Sequence, residues 1–537
     1  METNYLQIFV TFVAMLCLFL FAINEMSKEI QAFVMDKIQQ SKRISVLIKN
    51  KFFGLLFGLV ITALINSSSA VTTITINLVN TGVISFADSL SVMLGSSIGT
   101  TITSFLVIFS KSTIVAVLLI VGYLLSSFGK KIKQLGKPVM YLGILMFALS
   151  TLSATISPLS DNESVMNFFS LISNPWLAFV VSVVLTTIVQ SSSVTTGLIV
   201  VFAQSGILPS SLAIPMVLGA NLGTTIPTVF ISLDLSLFSK RASIANFITK
   251  LFSTLVFMVF LSSYTMLITS ISADVAQQAA MSHLIFNIIS SVIFLFLLKP
   301  IELLVIKLIP GNEEEILFET KYIDNDMTKT LNESVADIEK EIVHALENTK
   351  KIFKKAIQIY SNSSSSIVME ISKLETLNDY LDKEITGSIL SLSRYKLPEK
   401  VATRSVMLVQ ISNIVEQLGD LGEDFSEVFQ RMHKLDINSD DVQIKELTQA
   451  FSLLTAIFDM VEKEIKNPDK KSLMEIKEHE EELYKLIHVD YKQHIGKLES
   501  SDKYDGSIFV DAVSIIELSV SKLRDIRKLL LEQIKGN

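Results

Sequence analysis

The chain has one cysteine, Cys17, and it lies in an apolar run, so neither a disulfide framework nor a cysteine-based zinc site is available. Charge is scarce as well, at 18% of 537 residues against 50% hydrophobic, which excludes both a disordered chain and an ordinary soluble globule. No Gly-Lys-Ser or Gly-Lys-Thr phosphate loop occurs, and the serine-rich stretches have no general base beside them. An enzyme is therefore not expected. The first apolar run opens without a basic stretch before it and is long enough to span a bilayer, which argues against a cleavable leader.

The charge that is present is unevenly spread. Residues 1–311 carry 16 Lys+Arg and 10 Asp+Glu, whereas residues 312–537 carry the remaining 30 and 43, a net +6 against a net −13. Apolar blocks recur near 5–24, 52–80, 83–110, 113–128, 138–158, 175–204, 207–232, 244–268 and 278–298, each approaching or exceeding the roughly 20 residues a spanning helix needs. Residues 1–311 thus read as a polytopic membrane domain and 312–537 as a water-exposed acidic one. Basic residues gather at 28–51, at 130–137, at Lys240–Arg241 and at Lys299 and Lys307, which by the positive-inside bias face the cytoplasm. The segments near Asp161–Glu163 and Ser272–Asp274 hold no Lys or Arg and are expected outside, with the N-terminus outside and 312–537 inside.

Self-comparison shows a duplication. Asn66-Ser67-Ser68-Ser69 aligns with Gln190-Ser191-Ser192-Ser193 at an offset of 124, and Gly82, Gly95 and Gly99-Thr100-Thr101 align without a gap with Gly206, Gly219 and Gly223-Thr224-Thr225. The copies span about 52–128 and 176–268. Copy one is entered from a basic loop and copy two from a non-basic one, so the repeats are inverted. Three blocks separate the inside loops at 51 and 130, and an odd count requires one that does not cross. The block 52–80, with serines at its middle, is the natural re-entrant hairpin.

Inverted repeats with interrupted apolar segments are how many secondary carriers build a site at the bilayer midplane. A broken helix offers N–H groups and a positive dipole end to an anion, and free carbonyls to a cation. The serines add hydroxyls, and Asn66, Gln190, Ser97, Thr101, Asn221 and Thr225 add neutral oxygens of the kind a hard monovalent ion such as sodium takes. Runs of Ser, Thr and Gly in membrane helices mostly serve packing. A matched, inverted pair at fixed offset favours a site instead. Asp88 and Asp234 lie near segment ends and are expected to face water, and His283 reads as a hydrogen-bonded helix residue.

These motifs, with Arg241-Ala242-x-Ile244-Ala245-Asn246-Phe247 and His283-Leu284-Ile285-Phe286-Asn287, resemble the type II sodium/phosphate cotransporter family over roughly residues 50–300. The resemblance implies an all-α polytopic fold with broken or re-entrant helices, phosphate held by Ser67, Ser68, Ser69, Ser191, Ser192 and Ser193, and sodium as the co-transported ion. The family pattern has Gln before both serine triplets. Asn66 departs from it, being shorter by a methylene, so Gln190 with Asn221 and Thr225 is expected to serve sodium better. With no buried Lys or Arg expected in the repeats, a divalent anion would depend on bound sodium and helix ends for neutralisation.

Residues 325–537 carry apolar residues at helical spacing, as in Val406, Val409, Ile411, Ile414, Val415 and Leu418. Leu374–Glu384 resembles Glu480–Asp490, and Val415–Asp420 resembles Leu518–Asp525 about 105 residues on. This part resembles a PhoU-type domain of two three-helix bundles. That resemblance implies a role beside phosphate transport and a divalent metal at Glu416 and Asp420, a Glu-x-x-x-Asp pair on one helix face; Ser521 breaks the second copy. The whole reads as an inner-membrane, sodium-coupled phosphate carrier with a cytoplasmic regulatory domain and no nucleic-acid partner. An exporter, a carrier of another oxyanion and a membrane-anchored regulator remain alternatives, and a homo-oligomer or a cytoplasmic regulatory partner is left open.

Overall fold

The computed structural model describes residues 5–39, 46–110, 112–127, 130–160, 162–163, 165, 167, 174–311, 313–323, 330–361, 364–394, 397–434, 442–500 and 507–536. The described residues are almost wholly helical and include no strand. They form two compact units, Met1–Asn312 and Glu313–Asn537.

In the first unit, α1 (Tyr5–Gln39) is followed by α2 (Lys51–Ile65), α3 (Ser68–Asn80), α4 (Phe86–Gly99), α5 (Ile102–Ile108), α6 (Ser112–Ser127) and α7 (Lys130–Ile156). The second copy supplies α8 (Pro175–Val189), α9 (Ser192–Gln204), α10 (Ser210–Gly223), α11 (Thr225–Ser232) and α12 (Leu237–Val259), after which come α13 (Leu261–Ile271), α14 (Val275–Phe296) and α15 (Leu298–Leu308). Helices α2, α3 and α4 map onto α8, α9 and α10 at an offset of 124, residue for residue at both ends. Among the described residues six stretches are long and apolar enough to cross a membrane, including Phe86–Ile108 and Ser210–Ser232, each a pair of helices joined at the Gly-Thr-Thr sequence. Large apolar side chains such as Ile188, Val259 and Met266 are about 70% exposed, the reverse of a soluble globule and the pattern of a lipid-facing surface.

The break in each 30-residue block has a local cause. Asn66 (φ 58°) and Gln190 (φ 61°) take the left-handed conformation that ends α2 and α8, and among the described residues they are the non-glycine positions with positive φ. The next residue, Ser67 or Ser191, is extended and caps the following helix, its Oγ accepting from Ala70 N or Val194 N at 3.3 Å. Glycines then set the register. A Cβ on Gly95 would lie 1.8 Å from Leu55 O and one on Gly99 2.5 Å from Leu59 O, while Gly219 and Gly223 meet Phe179 O and Val183 O in the same way. Residue numbers rise together along both pairs, so α2 runs parallel to α4, and α8 to α10. The helix between them, α3 or α9, must run back. Each block is therefore a helical hairpin, as the odd count of segments requires.

Helices α12 and α14 brace both copies. Ser239 Oγ donates to Ile76 O on α3 at 3.2 Å, and Ser291 Oγ donates to Leu94 O on α4 at 2.9 Å. Arg241, buried, donates from Nε and Nη2 to Ile309 O just past α15, both at 3.1 Å. Asp88 accepts from Ser85 Oγ at 2.6 Å and lies in the first turn of α4, where its charge suits the helix dipole.

The second unit consists of α16 (Leu331–Ser361), α17 (Ser365–Leu392), α18 (Glu399–Lys434), α19 (Val442–Glu464), α20 (Lys470–Ser500) and α21 (Ser507–Gly536). Helices α16–α18 pack as one bundle and α19–α21 as another, joined chiefly along α18 and α21 around one continuous apolar core. A buried Glu480 accepts a two-pronged pair from Arg527, at 2.8 and 3.0 Å, in the second bundle.

Candidate substrate site between the repeats

Where the two hairpin tips meet, the three serines of each triplet divide three tasks. Ser67 and Ser191 cap helices. Ser69 Oγ donates to Gln190 O at 3.2 Å and Ser193 Oγ donates to Asn66 O at 3.4 Å, so each triplet satisfies the carbonyl freed by the other's break. This reciprocal pair is a local two-fold relation between the copies. The middle serines, Ser68 and Ser192, make no side-chain hydrogen bond among the described residues, and both line one small cavity.

The cavity wall is polar throughout. From α3 and α9 come Ser68, Ser69, Thr72 and Ser192; from the Gly-Thr-Thr regions come Ser97 and Thr100 of one copy and Asn221, Thr224, Thr225 of the other, with Thr228; α12 adds Asn246 and Lys250. No carboxylate is among them. The hydroxyls are oriented in two ways. Ser97 donates to Met93 O at 3.1 Å, Thr225 to Leu222 O at 2.7 Å and Thr100 to Ser96 O at 3.0 Å, which leaves their lone pairs turned outward as a cation ligand's must be. Ser68 and Ser192 keep a proton to give, at the positive N-terminal ends of α3 and α9, as an anion requires.

Of the residues singled out from the sequence, the structure brings Ser68, Ser69, Ser192, Ser97, Asn221 and Thr225 to this cavity. Ser67, Ser191, Ser193, Asn66, Gln190 and Thr101 do not line it. Thr101 is buried and donates to Ile98 O. Asn66 is buried with its Oδ1 accepting from Thr103 Oγ1, while the Gln190 side chain is exposed. The two break amides thus differ in burial as well as in length.

One expectation fails outright. The repeats do hold buried basic residues: Arg241, which is tied to backbone carbonyls, and Lys250, which is half-buried and reaches the cavity. Lys250 Nζ donates to Asn287 Oδ1 at 3.0 Å and to Asn221 Oδ1 at 3.4 Å. Asn287 in turn donates from Nδ2 to Asn221 Oδ1 at 3.3 Å and to His283 O at 2.8 Å. His283 is fully buried with Nδ1 3.0 Å from Ser104 Oγ and no partner at Nε2. Lys250 escaped notice because it sits alone inside an apolar block, between Thr249 and Leu251, and not in a basic cluster. Its spacing was legible, since Asn246 and Lys250 are four residues apart on α12 as His283 and Asn287 are on α14.

In the second unit, carboxylate oxygens of Glu375, Asp379 and Asp420 approach within 4.8 Å of one another between α17 and α18. Glu416 is not in this group, although its carboxyl is raised above the ordinary range by burial and by Asp420 and Asp379. Burial, then Asp379 and Glu423, push Glu375 up to about 7, and burial with Asp379 also raises Asp420. Such a set fits a divalent cation, which would relieve the repulsion. The sequence carried the missing half of the signal: Glu375-x-x-x-Asp379 repeats the Glu416-x-x-x-Asp420 spacing. In the other bundle, 106 residues on from Asp379, stands Lys485.

The Na+/Pi-cotransporter family profile matches residues 18–154 and 156–276, which include both hairpins and the cavity. The uncharacterized protein YqeW of Bacillus subtilis is 30% identical over 306 residues, 57% of this chain and 99% of its own length. The putative inorganic phosphate export protein YjbB of Escherichia coli is 21% identical over 413 residues, 75% of this chain and 76% of its own. The human sodium-dependent phosphate transport protein 2B is 42% identical over a 64-residue stretch, 12% of this chain and 9% of its own. The chain belongs to the Na+/Pi-cotransporter family.

Proposed function

We propose that the chain carries inorganic phosphate across the cytoplasmic membrane, coupled to sodium, with the cavity between the hairpin tips as the substrate site. The observation that supports this most is the pairing of Ser68 and Ser192: equivalent residues of two copies, both with uncommitted hydroxyls, at two helix N-termini that face one carboxylate-free cavity. Phosphate accepts hydrogen bonds on every oxygen, so donors arriving from both copies suit it. Sodium is assigned to the outward lone pairs of Ser97 and Thr225, with Asn221 beside them and Asn66, Gln190 and Thr101 in supporting positions at the breaks. Counting α4–α5, α6 and α7 as three crossings makes the second hairpin enter from the face opposite the first, the arrangement that permits alternating access. The basic loops then place the N-terminus outside and the second unit in the cytoplasm.

The second unit is assigned a PhoU-like regulatory role, with a divalent cation held by Glu375, Asp379 and Asp420 and with Glu416 beside them. The likeness to YjbB covers more of this chain than the first unit contains, which favours a function shared by both units. The same protein's printed name favours export as a second reading. Phosphate flux in proteoliposomes with an imposed sodium gradient tests the proposal. Sodium-dependent uptake is expected. Absence of phosphate flux under either gradient would reduce the membrane unit to an anchor, and flux that proceeds only against the sodium gradient would favour export.

A further inference from the structure

The two copies share their backbone but not their charge. Lys250, on α12 of the second copy, is the charged side chain among the described residues that line the cavity. Its ammonium lies on the wall of the substrate cavity, held by the amide oxygens of Asn287 and Asn221 at 3.0 and 3.4 Å. Both are neutral oxygens, and Asn221 is one of those assigned to sodium from its chemistry alone. An ammonium group and a sodium ion make the same demand on such a place, which is several oxygen lone pairs turned toward one positive centre. Among the described residues no carboxylate lines the cavity to neutralise Lys250. A fixed positive charge left without a counter-ion, in a wall that otherwise offers only hydroxyls and amides, is complementary to an anion.

We infer that Lys250 takes the place of a transported cation in the second copy, so that the site carries a positive charge of its own for phosphate and needs one sodium ion fewer than it would if position 250 were neutral. The inference rests on the reading of the cavity as a phosphate site and adds to it the source of part of the neutralising charge. The linkage follows directly. An anion binds only when its charge is balanced, and where a fixed ammonium supplies part of the balance, phosphate affinity depends less steeply on sodium. In a neutral variant the same oxygens, Asn221 Oδ1 and Asn287 Oδ1, are released to gather sodium, and the dependence steepens.

The test is phosphate uptake into proteoliposomes as a function of sodium concentration, for the wild-type chain, Lys250→Gln and Lys250→Arg. Gln removes the charge and, being shorter, frees the amide oxygens, and Arg keeps the charge. Size-exclusion profiles of the purified proteins establish that each variant is folded, and Lys250→Asn serves if Gln does not fold. The expected result is that Lys250→Gln loses tenfold or more of the uptake at low sodium, recovers it at saturating sodium, and shows a Hill coefficient for sodium higher by about one. Lys250→Arg should stay within about threefold of wild type with an unchanged coefficient. A Gln curve superimposable on wild type, or uptake that sodium fails to restore, overturns the inference while the phosphate reading stands. Wild-type vesicles that move no phosphate at any sodium concentration overturn both.

Discussion

Between residues 51–99 and 175–223 the helices repeat residue for residue, down to a left-handed Asn66 or Gln190, an extended serine cap and a glycine against each facing carbonyl. The side chains at the meeting point do not repeat. Ser97 stands where the second copy has Asn221, Lys250 reaches the cavity from the second copy, and one break amide is buried where the other is exposed. Geometry is thus duplicated while charge and ligand type are divided between the copies. A single cavity can then offer donors to an anion from both sides and most of its cation-holding oxygens from one.

The glycine contacts are where this comparison breaks most severely. Gly95→Ala and Gly219→Ala each drive a Cβ into a backbone carbonyl, at 1.8 and 2.3 Å, which no side-chain adjustment relieves. Both variants are expected to lose the monodisperse peak in size-exclusion chromatography of detergent extracts. Gly197→Ala, whose Cβ would meet the Phe19 ring at 3.5 Å and Leu149 Cδ2 at 3.9 Å, both ordinary contacts, should retain it. Equal failure at 95 and 219 sharpens the claim of a shared backbone, and tolerance at either one breaks it.

Exchanging the break residues comes next. Asn66→Gln adds a methylene at a position 2% exposed and is expected to cost about 1–3 kcal/mol of stability. Gln190→Asn, at an exposed left-handed position that Asn accepts more readily, should be neutral in thermal unfolding. A smaller loss, about 0.5–2 kcal/mol, is expected for Ser67→Ala and Ser191→Ala through the caps alone. Their phosphate affinity should hold, since neither hydroxyl faces the cavity.

Much of this was legible in the chain itself. The triplets, the offset of 124 and the odd count of apolar blocks gave the hairpins, because a membrane forces every interrupted helix to be compensated by a partner. The division of labour within each triplet was not legible. Three adjacent serines look alike until the backbone turns one into a cap, one into a cross-link and one toward the cavity. Lys250 was hidden for a related reason: hydropathy averages a lone lysine into its apolar block, and only the approach of α12 to α14 reveals its partners. Glu375 and Asp379 needed the packing of α17 on α18, because residues on separate helices share a site only in three dimensions.

The acidic group carries the smallest effect and contrasts the two bundles of the second unit. With Glu375 pushed up to about 7 by burial and Asp379, the folded state binds a proton more tightly than the unfolded chain. Stability without a divalent cation should therefore fall as pH rises from about 4.5 to 7, by on the order of 1 kcal/mol after allowance for partial exposure. In thermal unfolding of the full chain, magnesium or manganese should raise the midpoint by about 2–4 °C at pH 7.5 and by less at pH 5. Glu375→Gln should remove both the pH slope and most of the metal effect. A metal shift that is the same at both pH values and in the variant would assign it to another place.

The claim at the centre is that one phosphate ion is held by both copies at once. Equilibrium binding of phosphate at saturating sodium, measured for wild type, Ser68→Ala, Ser192→Ala and the double variant, tests it most directly. Each single substitution removes one hydrogen bond to a charged ligand and should raise the Kd by about 10- to 100-fold. The two should act on the same binding event, with one stoichiometric site throughout. Unchanged affinity in either single variant, or two independent sites of which each variant abolishes one, would contradict a shared site.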